Sequence, residues 1–84
     1  MDKTITVYVQ LLEEGTPTIR PTQAIENGNG VCKLLPTPDY DPMDEIWEFL
    51  PGTRVKIIPS KTDSGKDILL AIEQVYGSDS IGNQ

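Results

Sequence analysis

The 84-residue chain carries seven Lys and Arg against thirteen Asp and Glu, with no His and one Cys, for a net charge of −6. Nucleic-acid affinity rests on neutralising phosphates with cations, and anionic lipid repels an acidic chain, so this balance excludes a general nucleic-acid or membrane-surface binder. Without His, the usual general base, His-containing metal sites and Ser-His-Asp machinery are excluded too.

A chain of this length forms one domain and buries only about 60 to 65% of its unfolded surface. Its lone thiol, Cys32, cannot form an internal disulfide and suits a reducing compartment. No charged-then-apolar leader opens the sequence and no apolar run reaches bilayer length, so a cytoplasmic location is expected.

From Thr4 to Leu12, Ile5, Val7, Val9 and Leu11 alternate with polar residues and Tyr8, a period of two with β-branched enrichment that predicts a strand. Glu13 to Pro17 breaks it as a loop. Thr18 to Glu26 predicts a second strand; Pro21 lacks an N–H and confines this strand to an edge, a bulge or a bend, with a kink expected. Asn27-Gly28-Asn29-Gly30 repeats the strongest short hairpin signal, making Val31 to Leu35 the antiparallel partner.

Three prolines between Pro36 and Pro42 forbid a regular helix or ladder and predict a stiff extended loop. Trp47 and Phe49, two apart, share one face of an extended segment. Pro51-Gly52 suits a tight turn. Beyond it, Val55 and Ile57 alternate with Arg54 and Lys56 in a strand that Pro59 is expected to end, so Trp47 and Arg54–Ile58 form the predicted central hairpin.

Lys61 to Lys66 is a turn by composition. Ile68 to Tyr76 fits a helical face, with Ser64 and Asp67 at capping-box spacing, and equally a strand in which Ile68, Leu70 and Ile72 alternate with Asp67, Leu69 and Ala71. Topology favours the strand, because Arg54–Ile58 needs an antiparallel neighbour. The resulting expectation is all-β: a small antiparallel five- or six-stranded SH3-like barrel or sandwich over residues 1–76, with 77–84 as a disordered polar tail.

Five of the thirteen acids, Asp39, Asp41, Asp44, Glu45 and Glu48, fall within ten residues. Two close carboxylates could form an acid-base pair or contribute to a weak divalent-cation site. An EF-hand is excluded, since Met43 stands at the third ligand position, Asp44 where Gly is required and Leu50 where a bidentate Glu should be. Ser64-Gly65-Lys66 lacks the glycine and the strand-to-helix context of a phosphate loop. The plainer reading makes Asp41 a turn-forming acceptor for backbone N–H groups and pairs Arg20 or Arg54 with Asp44, Glu45 or Glu48. Trp47 then belongs to the core and Cys32 is a small buried side chain.

Tyr40-Asp41-Pro42, Asp44-Glu45, Trp47-Glu48-Phe49 and Pro51-Gly52, with Arg20-Pro21 and Tyr8-Val9 upstream, resemble the motif of a family of short bacterial proteins of uncharacterised function. The likeness runs from about Val7 to Ala71. Members usually carry an aromatic residue before the Arg-Pro pair, where this chain has Ile19. The resemblance implies an all-β fold and no particular chemistry.

These readings converge on a non-enzymatic protein-interaction module without cofactor or metal. Its partner-binding residues are expected to be Asp39, Asp41, Asp44, Glu45 and Arg20, facing a protein with basic groups. The alternatives are a carboxylate enzyme or weak cation site on the same loop, and a subunit that self-associates by sheet edges, giving a monomer or weak homodimer.

Overall fold

The computed structural model describes residues 3–76; the predicted polar tail, residues 77–84, lies outside them. Six strands follow in chain order: β1 (Lys3–Leu12), β2 (Thr18–Gly28), β3 (Val31–Leu34), β4 (Ile46–Trp47), β5 (Arg54–Lys61) and β6 (Asp67–Gln74). None of the described residues is helical, and no helix is long and apolar enough to cross a membrane. Residues 68–72 are therefore strand and not helix, and β6 pairs antiparallel with β5 from Asp67 to Gln74.

The sheet is ordered β2-β3-β5-β6-β1-β4, and β2 also pairs with β1, so five strands close into a ring with β4 attached to the end of β1. Because five strands in meander order leave the first and last pointing the same way, the closing pair is parallel rather than antiparallel. It consists of one bridge, Tyr8 with Leu70.

The alternation predicted for β1 places Val7, Val9 and Leu11 inside, against Ala24, Cys32, Leu34, Trp47, Val55, Ile57 and Ala71. Within β6, Leu69 and Ala71 face the main core, opposite Pro59 and Ile57; Ile68 and Leu70 alternate with them, Ile68 being buried as well but outside that cluster, and Ile72 is the extra residue at a register shift. Cys32 is fully buried. Its thiol is pushed up to about 11 by burial, with the Glu26 carboxylate adding to the shift, so it packs as a small apolar group.

At the β2–β3 turn, Asn29 and Gly30 both have positive φ, the conformation of a type I′ hairpin, while Gly28 precedes them at a bulge. The second Asn-Gly pair makes the turn and the first makes the irregularity.

Three expectations are corrected. Trp47 does not form a hairpin with Arg54–Ile58: β4 pairs with Leu11 and Leu12, and Pro51-Gly52 turns the chain so that Gly52 and Thr53 bond Leu34 of β3. β5 does not stop at Pro59 but runs to Lys61, and β2 passes Pro21 without a break in register, so no bulge forms there.

One rule accounts for both prolines. Neighbouring residues of a strand point their backbone groups to opposite edges. Gln23 O accepts from Leu35 N, so Pro21, two residues earlier, also faces the β3 side, beyond the end of that four-residue strand. Ile57 N donates to Gly30 O, so Pro59 likewise faces outward past the start of β3. Each missing N–H falls where no ladder partner exists among the described residues.

Candidate functional site

The loop from Leu35 to Thr53 returns across the ring end where β1 finishes and β2 begins. Thr22 Oγ1 donates to Leu35 O at 2.6 Å, tying the loop's start to β2. Asp41 organises its middle: Oδ1 accepts from Met43 N at 2.9 Å, and its carbonyl accepts from Asp44 N and Glu45 N. This is the turn-forming role that an Asp before Pro predicts.

Glu45 and Trp47 are two apart on extended backbone and therefore share the inward side. Trp47 Nε1 donates to Glu45 Oε1 at 3.0 Å, and Arg20 Nη2 donates to Glu45 Oε2. Arg20 comes from an inward position of β2, opposite Val9, at the mouth of the ring. Tyr40 packs edge-on to the indole, with ring centroids 4.9 Å apart at 68°. One carboxylate thus joins the loop, the core indole and β2.

The hydrogen bond from Trp47 holds the Glu45 carboxyl below its ordinary value; burial opposes this, Arg20 adds to it by hydrogen bond and charge, and Asp39 opposes it. A depressed carboxyl contributes stability that is present above its unfolded pKa and is lost as pH falls through the folded one. Glu45→Gln, which cannot hold the charge, is therefore expected to flatten the acid-side loss of melting temperature. Thermal melts of both proteins between about pH 5 and pH 2 test this; parallel curves would remove Glu45 from the acid response.

Of the five predicted site residues, Arg20 and Glu45 meet, whereas Asp39, Asp41 and Asp44 are exposed and none forms an ion pair among the described residues. No three His, Cys, Asp or Glu side chains gather as metal ligands among the described residues. Glu13 and Glu14 follow directly on Leu12, which pairs with Ile46, so they extend the acidic surface at the same end. The loop also carries exposed apolar groups: Met43 is 92% exposed, and Ile46 and Leu50 are exposed as well, as is Leu12, which pairs with Ile46. The indole N–H and Tyr40 were missed by sequence reasoning, although an acid two residues before a buried Trp was a usable signal.

No family model matches the chain, and no match is found among the curated proteins or the solved structures.

Proposed function

We propose that the chain is a small non-enzymatic interaction module of the cytoplasm, an SH3-like meander whose contact surface is its acidic end. The observation that carries this is the division of labour among the acids. Glu45 is committed inward to Arg20 and Trp47, while Asp39, Asp41 and Asp44 stand in solvent around a 92%-exposed methionine.

Carboxylates around an apolar centre complement a basic protein surface with an apolar patch of its own: the apolar centre supplies burial, and the rim charges steer the encounter. Arg20 and Glu45 position this surface rather than touch the partner. A buried, protonated thiol fits a reducing compartment.

The test is the triple variant Asp39→Lys, Asp41→Lys, Asp44→Lys, with Trp47 fluorescence as the check on folding. Partners captured from the native cell are expected to bind at least about tenfold more weakly, or about 1.4 kcal/mol, and wild-type capture should fade with added salt. An unchanged partner set on a folded triple variant would defeat the proposal.

A further inference from the structure

Closing the ring with one bridge leaves the β1–β6 seam open on the side before Tyr8. Glu48 N donates to Gln10 O, so the even-numbered residues of β1 direct their backbone groups toward the β4 and β6 edge, and Thr4 and Thr6 do so as well. Among the described residues neither has a ladder partner there. A cavity of about 450 Å³ opens beside this edge, lined among others by Thr6, Tyr8, Lys66, Ile68 and Leu69.

Unpaired strand edges are ordinarily blunted by proline, charge or a bulge. The overhanging edge of β2 carries Pro21 and that of β5 carries Pro59, each with its ring on the open side. On β6, the stretch facing the seam begins at Asp67, paired with Lys61, next to Lys66. The β1 edge has none of these devices: from Thr4 to Leu12 there is no charge, no proline and no break in register.

We propose that this edge is a self-association site, on which β1 of a second copy adds antiparallel, Thr4 of one chain opposite Thr6 of the other. Both residues face the edge, so this register forms hydrogen-bonded pairs on either side of a two-fold axis near Ile5. It also sets Thr against Thr across the strands.

The edge is its own complement in this register, and charge does not oppose a second copy as the occupant. Antiparallel β1 strands send the two acidic ends in opposite directions. From Ile5 to Glu13 is about 26 Å at about 3.3 Å per residue, so the acidic clusters lie about 50 Å apart, several times the Debye length of about 8 Å. The contact is small, and interfaces below about 1,200 Å² in total are weak and transient. The dimer is therefore concentration-dependent.

Sedimentation of the full chain from about 10 μM to about 1 mM is expected to show mass rising from one chain toward two, with amide exchange at Thr4 and Thr6 slowing in parallel. Thr6→Pro removes the outward N–H, as Pro21 and Pro59 do, and sacrifices only the exposed bond from Gln23 Nε2; it should fold and remain monomeric. Thr6→Lys, which adds a charge without touching the backbone, should weaken association and decides the matter if the proline variant does not fold. The triple Lys variant of the acidic loop should dimerise as the parent does, which separates this site from the acidic end. A monomeric parent throughout, protection confined to other amides, or a folded Thr6 variant that dimerises like the parent would each overturn the proposal.

Discussion

Replacing Trp47 with Ala is expected to cost about 3 to 5 kcal/mol, a large part of the 5 to 15 kcal/mol that holds a typical domain together. The indole is 2% exposed and is the largest fully buried side chain. Its removal leaves a cavity, takes the edge-on partner from Tyr40 and leaves Glu45 Oε1 without its indole donor. Phe49, on the same side of the chain, is only half-buried and packs against the core from its margin, so Phe49→Ala should cost about 1 to 2 kcal/mol. Urea titration followed by circular dichroism distinguishes the two through the midpoint at constant slope. Equal midpoints for both variants would show that the indole does not anchor the loop.

Leu34→Ala is expected to lose about 2 to 5 kcal/mol. Leu34 is fully buried on the four-residue β3, the shortest strand of the ring, which supplies only Cys32 and Leu34 to the core. Its backbone is clasped on both sides of the peptide: Leu34 N donates to Thr53 O at 2.9 Å, and Gly52 N donates to Leu34 O at 2.8 Å. Alanine keeps both bonds, so the loss reads the side chain alone. Leu34→Met, which nearly conserves volume, should cost less than about 1.5 kcal/mol. If the Ala and Met variants unfold at the same urea concentration, packing at β3 does not hold β2 to β5.

What could be read from residue order was whatever a period of two and turn chemistry encode. β1, the Asn-Gly hairpin, the Pro51-Gly52 turn and the inward Trp47 all followed from local pattern. Pairing did not, because Trp47 and Arg54 stand seven apart in the chain, and nothing local says that Thr53 will bond β3 instead. The prolines misled for a related reason: whether a missing N–H matters depends on which edge it faces, and that is set by the length of a neighbouring strand. At the acidic loop, clustering was legible, but the separation of Glu45 from its neighbours depends on Arg20, which lies 25 positions away.

The ring joins its first and last long strands at a single point, Tyr8 with Leu70, while β1 with β2 and β5 with β6 are each built from chain neighbours. Two hairpins can therefore assemble early, and the union of the chain's two ends waits on the costly closure of a long loop. The barrel should accordingly fold in milliseconds or slower, and substitutions at that junction should hasten unfolding far more than they delay folding.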